Sequence, residues 1–234
     1  MACVFDISSD RAMFRKPYTT TSSVSYPFPP PSTVAGILSA ILGYKNGSNR
    51  KGYYSKFWEK MKDTQIAIKI NKNIRWETRA LNFWNTKDAK NNPHVQIKHQ
   101  FVKKPGYRIF VKGQIEEPLA GSLENRQYHF TPYLGVAYAI ADIEYLGRST
   151  EEQPAEMAVD SVLSTTEEET EIEFSKTKTL NRTVMPFQLD GERGLVSSMI
   201  IAYKMEKGKI YLNKPQTNIK KVGEDIVAWL PKWR

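Results

Sequence analysis

The chain runs to 234 residues, 40% hydrophobic and 25% charged, the proportions of a water-soluble globular protein built as one large domain or two small ones. Its net charge of +9 points towards a polyanionic partner, and its lone cysteine, Cys3, excludes an internal disulfide and any cysteine-clustered zinc site. The longest weakly polar run, Val34 to Tyr44, is about half of what a membrane span needs, so no transmembrane helix and no membrane partner are expected.

At the N-terminus, Asp6 and Asp10 stand where a secretion signal would carry Lys or Arg, so the expected compartment is the reducing cytoplasm. Val4 to Ser8 reads as a first strand, and the Thr-, Ser- and Pro-rich residues 18–31 read as a connection. The stretch YPFPPPSTVAGILSAILGY then predicts a helix with Ser32 or Thr33 as N-cap, running to about Leu42 and stopped by Gly43. Val34, Ile37, Leu38 and Ile41 recur at the spacing of one buried face. Opposite them Ala35, Gly36, Ser39 and Ala40 form a small-residue face that lets either a sheet or a flat ligand approach the backbone. The prolines stiffen the entry, and the first helical amides after them form an anion site.

A short helix is expected over Ser55 to Lys62 and a half-buried strand over Ile66, Ile68 and Ile70. From Arg75 to Tyr107 basic and aromatic residues surround the polar NTKDAKNNP, which reads as a long projecting hairpin. Tyr107, Ile109 and Val111 give the next strand, Glu117 to Arg126 a helix, TPYLG a turn, and Val136 to Ile143 a strand. The order β-α-β-β-α-β matches a ferredoxin-like α+β unit. The stretch from Glu151 to Glu171 reads as a surface excursion, and Ser198–Met205 with Lys209–Asn213 as a hairpin around EKGK.

Charge is unevenly spread. Ser149 to Phe174 holds nine acids and no Lys or Arg, whereas Tyr44 to Gly113 holds 17 basic residues and four acids. In the predicted hairpin, Arg75, Arg79, Lys87, Lys90, Lys98, Lys103 and Lys104 are interleaved with Trp76, Phe83, Trp84 and Phe101. Cations neutralise phosphate and aromatic faces stack on unpaired bases, so single-stranded nucleic acid is the partner this mixture suits. Phe83 and Trp84 serve equally as the hairpin's own core on this reading.

FDISSDRAMFRKP, SYPFPPPSTVAGILSAILGY and PYLGVAYA together resemble the Cas-five family of CRISPR-associated proteins, within the RAMP superfamily, with subtype I-B a candidate branch. The resemblance covers the first 147 residues; beyond them only DGERG, Asp190 to Gly194, stands near the superfamily's glycine-rich loop. It implies an RRM-like ferredoxin fold in residues 1–147 with a thumb hairpin at about 75–107. Residues 148–234 would add a β-rich extension packed on the same body. It also implies a subunit of a type I Cascade complex that caps the 5′ handle of the crRNA. Its partners would be the backbone subunit and the large subunit, with target DNA met indirectly through the complex. On this basis Arg11, Arg15 and Lys16 beside the first strand reach towards the handle. Ser32, Thr33, Gly36 and Ser39 offer the helix face, Arg75, Arg79, Trp84, Lys98 and His99 the thumb, and Lys103, Lys104 and Arg108 its base.

One branch of that family cuts the CRISPR repeat itself, without metal, by attack of a ribose 2′-hydroxyl on the adjacent phosphate. Tyr44, Lys98 and His99 resemble its catalytic set by position, with His99 as acid or base, Lys98 as electrostatic clamp and Tyr44 as positioning group. The N-terminal stretch and the length resemble instead the subunits of complexes that have a separate nuclease. A non-catalytic RNA-binding subunit is therefore expected, with a metal-independent endoribonuclease as the alternative. No cofactor is expected. His94, His99 and His129 lack metal-ligand spacing, and Asp142 and Glu144 read as ordinary surface carboxylates.

Overall fold

A computed structural model describes residues 1–19, 22–45, 57–166, 171–214 and 216–234. Ser55 and Lys56 of the predicted second helix, and Glu167 to Glu169 of the acidic run, lie outside the described residues. The first half contains β1 (Ala2–Ser8), α1 (Pro31–Leu42), α2 (Phe57–Met61), β2 (Gln65–Ile70), β3 (Trp76–Trp84), β4 (His94–Lys103), β5 (Gly106–Lys112), α3 (Glu116–Glu124) and β6 (Asp142–Ser149). Strands β2, β5, β1 and β6 form one antiparallel sheet in that spatial order. The first and third strands of the β-α-β-β-α-β unit thus lie innermost, which is the ferredoxin-like arrangement.

Strand β1 is apolar at nearly every position because both of its faces are covered. Cys3, Phe5 and Ile7 pack with Ile66, Ile68, Ile109 and Val111 beneath the helices, where α1 contributes Val34, Ile37, Leu38 and Ile41. On the other face Ala2, Val4, Ala67 and Phe110 meet Val222 and Val227 from the C-terminal strands Ile219–Val222 and Asp225–Ala228, and Trp229 just after them. Burying an aromatic such as Phe5 contributes about 1.5–3 kcal/mol, so these two layers supply much of the driving force.

The helix begins two to three residues earlier than its sequence suggests. Pro30 is the N-cap and Pro31 opens the helix, and the Thr33 N–H donates to the Pro30 carbonyl at 2.8 Å. Proline carries no N–H and has φ pre-set for the first turn, where donors lack partners anyway, so it displaces Ser32 and Thr33 from the cap. The same prolines deplete the amides expected to hold an anion. Of the small residues, Ala35 and Ser39 belong to the core, and the Ser39 hydroxyl donates back to the Ala35 carbonyl. Gly36 is exposed and Ala40 half-buried.

Three further expectations are corrected. The apolar run Val136 to Ala141 is a turn, held by Leu134 N–H on the Ala139 carbonyl and Ala139 N–H on the Val136 carbonyl, and the strand starts only at Asp142. The C-terminal hairpin is β7 (Leu180–Leu189) with β8 (Leu195–Lys204), whereas Ile210–Tyr211 pairs with Ala158–Val159. Its turn is DGERG, where one Asp190 carboxylate oxygen accepts from the Glu192 and Gly194 N–H groups. Finally, the acidic stretch is no surface excursion. Ala158, Val159, Val162 and Leu163 are fully buried, and Glu151, Glu152, Glu156 and Glu171 pair with Lys112, Lys221, Lys209 and Lys214. These four carboxylates answer lysines of this same chain.

Candidate nucleic-acid interface

Strands β3 and β4 pair along their whole length, from Trp76 opposite Val102 to Trp84 opposite His94. Directly opposed residues of antiparallel strands share a face. Glu77, Arg79 and Phe83 therefore lie with Phe101, His99 and Val95, while Ala80 and Trp84 lie with Lys98 and His94 on the other side. Most of β3 is exposed on both faces, as a projecting thumb requires. Ser23 runs beside β4, donating to the Lys98 carbonyl and accepting from Gln100, and Arg11–Ala12 pairs with Lys103 and Val102. These bonds fix the hairpin's base to the body.

Aromatic rings climb the hairpin. Phe83 lies 5.4 Å from His99, His99 stacks 6.1 Å from Phe101, and Phe101 meets Tyr138 at 6.4 Å. Tyr138 belongs to the turn after TPYLG, whose Tyr133 and Gly135 line a groove of about 840 Å³ beside α1. Gly36, Ser39 and Ala40 form its small-residue floor, with Tyr26, Tyr44, Phe130 and Tyr133 around them and Arg15 and Lys45 as its cations. Lys16 stands beside it, its Nζ 5.4 Å from the Tyr26 ring and 6.0 Å from exposed Tyr18. Tyr18, Trp84, Phe130, Tyr133 and Tyr138 all expose close to half of their surface or more. Such a run of wet rings among cations is the composition of a single-strand platform.

The residues singled out from sequence fall into separate places. Arg15, Thr33, Gly36, Ser39 and Tyr44 line the groove; Ser32 sits half-buried in the first helical turn and does not. Arg75, Lys98, Lys103 and Lys104 are exposed along the hairpin and its base, and Trp84 is at its far end, edge-on to His94 at 5.4 Å. Arg11 and Arg79 both bind the Glu77 carboxylate, at 2.7 and 2.8 Å, which holds that acid down at about 2. Arg108 is on the opposite side of the sheet. It forks onto Asp6 and reaches Asp225, which also takes Lys69. These carboxylates raise the Arg108 guanidinium above its ordinary range.

Nor do the three residues of the cleaving branch share a wall. Tyr44 lines the groove, its phenol pushed up by burial and hence a neutral donor at physiological pH. Lys98 and His99 are on β4, on opposite faces of the hairpin. His99 is only 8% exposed, and its Nδ1–H donates to the Ile97 carbonyl at 3.1 Å. Sequence reasoning passed over Lys45, Phe130, Tyr138 and Glu77. TPYLG was the available signal for the turn, since its glycine marks a tight approach.

No helix among the described residues is long and apolar enough to cross a membrane, and none of their His, Cys, Asp and Glu side chains group to hold a metal ion. The family model described as CRISPR-associated protein (Cas_Cas5) matches residues 3–173. No curated protein sequence matches the chain. Among solved structures, a chain of a CRISPR RNA-guided surveillance complex is similar at 12% identity and a TM-score of 0.56, covering 91% of this chain and 92% of its own. A CRISPR protein from Archaeoglobus fulgidus is similar at 14% identity and a TM-score of 0.54, covering 97% and 98%. A chain of the Type III-B Cmr-beta complex bound to cognate target RNA and AMPPnP gives 14% and 0.50, covering 89% and 86%. At these identities the likeness is one of fold. With the family model spanning most of the chain on a ferredoxin-like sheet with its thumb hairpin, this protein belongs to the Cas5 family of CRISPR-associated proteins.

Proposed function

We propose that the chain is a non-catalytic, crRNA-binding subunit of a type I CRISPR surveillance complex in the cytoplasm, and that it caps the 5′ handle. The observation that carries this reading is the continuity between the α1 groove and the hairpin through the turn holding Tyr133 and Tyr138. Phosphates meet Arg15, Lys16 and Lys45, with Lys98 on the other face of the hairpin, and unstacked bases meet the exposed rings and the small-residue floor. Lys103, Lys104 and Arg75 extend the basic strip at the hairpin base. The backbone and large subunits of the complex are the protein partners, and target DNA is reached through them. The separation of Tyr44 from His99, and the burial of His99, favour binding without cutting.

Gel analysis of 5′-labelled cognate repeat RNA in EDTA, with wild type and His99→Ala, tests this. A retarded RNA of unchanged length with both proteins is the expected result. A single discrete cut lost in His99→Ala makes the protein the repeat-processing endoribonuclease instead.

A further inference from the structure

The inference deepens the RNA-binding reading and rests on it: it concerns where one phosphate is gripped. Arg11 comes from the two-residue strand beside β4 and Arg79 from β3, yet both guanidiniums end on one carboxylate. Arg11 Nε donates to one Glu77 oxygen at 2.7 Å and Arg79 Nη2 donates to the other at 2.8 Å. Each arginine spends a single nitrogen there, so each keeps further N–H groups for another acceptor. Exposure points the same way, with Arg11 and Arg79 side chains at 40% and 49% and Glu77 at 19%. The acid lies under two solvent-facing guanidiniums whose combined charge it leaves at +1.

Phe83 is on the same hairpin face, four residues along β3 and 41% exposed, with its ring against His99. A cationic fork and an open ring on one hairpin face match what a short stretch of single-stranded RNA presents, backbone charge beside a base face. We propose that Glu77 is a positioning residue that holds Arg11 and Arg79 side by side as a phosphate-binding fork for the RNA backbone, with Phe83 as the neighbouring base platform.

Charge counting and positioning predict opposite signs, which makes the test sharp. Glu77→Gln removes a negative charge next to the RNA, so electrostatics alone tighten binding. The fork instead predicts weaker binding, because the arginines lose the acceptor that aligns them. The experiment is anisotropy of a fluorescein-labelled single-stranded RNA of the cognate CRISPR repeat, titrated with full-length wild type, Glu77→Gln and Arg79→Lys over a range of salt. Melting temperatures of all three proteins are recorded alongside.

The expected result is a loss of about fivefold or more in affinity for both variants, since Arg79→Lys keeps the charge but not the planar geometry. The slope of log affinity against log salt should shrink by about 0.7, one phosphate contact's worth for a single strand. Affinity unchanged or increased in both variants, with wild type binding normally, overturns the fork and leaves the RNA-binding reading standing. Absence of binding by wild type overturns both. Should Glu77→Gln fail to fold, Arg79→Lys carries the same decision, because a merely structural ion pair survives that exchange.

Discussion

Gly135 presses against the Met13 backbone so closely that a Cβ on the glycine would stand 2.2 Å from the Met13 carbonyl oxygen. Its φ of +85° is itself a conformation that side-chain-bearing residues rarely adopt. The Met13 N–H in turn donates to the Leu134 carbonyl, so the turn that carries Tyr133 and Tyr138 is seated on the start of the chain. Gly135→Ala should therefore destabilise the fold by about 2 kcal/mol or more, through backbone strain and a clash that cannot relax cheaply. Thermal unfolding checks it, and RNA affinity should fall with it as the groove loses a wall.

Gly36 contrasts with this. A Cβ there meets nothing within 4 Å, and the residue is in mid-helix at the groove floor. Gly36→Leu should leave stability unchanged or raise it by up to about 1 kcal/mol, as helix propensity alone dictates. The leucine side chain fills the groove, so affinity for the 5′ handle should drop by about tenfold, worth about 1.4 kcal/mol. Handle binding measured with an intact fold separates the two effects.

Trp84 is 61% exposed at the far end of β3, edge-on to the His94 ring. Trp84→Ala should cost the fold almost nothing and weaken RNA binding by about 1–3 kcal/mol, the value of one stacked base. Anisotropy beside a melting curve distinguishes this from a hairpin-core role, in which stability falls and affinity per folded molecule does not.

Arg108 should behave in the opposite way. Asp6 and Asp225 surround it, and the Asp225 side chain is only 8% exposed. Removing the guanidinium takes the fork from Asp6, which keeps Asn71, and one of two cations from Asp225, which keeps Lys69; breaking a fully buried pair outright typically costs about 3–5 kcal/mol. Arg108 is 26% exposed, so Arg108→Ala should cost towards or below the lower end of that range. Urea unfolding measures it. Affinity per folded molecule should hold.

Acid should loosen the hairpin base through Glu77. Its folded value of about 2 lies below its ordinary 4.5, owing to its hydrogen bonds with Arg79 and Arg11. A carboxyl depressed in this sense contributes its stability above pH 4.5 and loses it as pH falls towards 2. The difference in melting temperature between wild type and Glu77→Gln should be flat above pH 4.5 and close between pH 4.5 and 2. A difference that stays constant through that window contradicts the pairing.

Where the sequence could be read, local periodicity matched burial. Val34, Ile37, Leu38 and Ile41 announced a one-faced helix, and Ile66, Ile68, Tyr107 and Ile109 alternated as strands because they line the sheet face beneath the helices. The basic and aromatic hairpin stood out because few other structures need that mixture. The C-terminal half hid its order for physical reasons. Strand β7 contains Pro186, which argues against a strand, yet the proline sits at a register shift where the ladder is already broken. Val159 and Leu163 are buried core residues camouflaged by acids whose lysine partners are remote in sequence. VAYAI looked like a strand through composition alone, whereas the backbone bonds between Leu134, Val136 and Ala139, beside Gly135 seated on Met13, close it into a turn. The site divided similarly: single arginines were visible, but Glu77, which joins Arg11 to Arg79, was not, because the pairing exists only once β3 and the Arg11 strand lie together.

The central claim is recognition of the 5′ handle, and a competition titration tests it most directly. Labelled cognate crRNA bound to the full-length protein in EDTA is displaced by unlabelled RNA of equal length, either carrying the handle or unrelated to it. The account predicts that handle RNA competes at least about tenfold better, a margin of about 1.4 kcal/mol, and that it is recovered uncut. Equal competition by both RNAs would reduce the protein to a generic basic RNA binder and contradict the account.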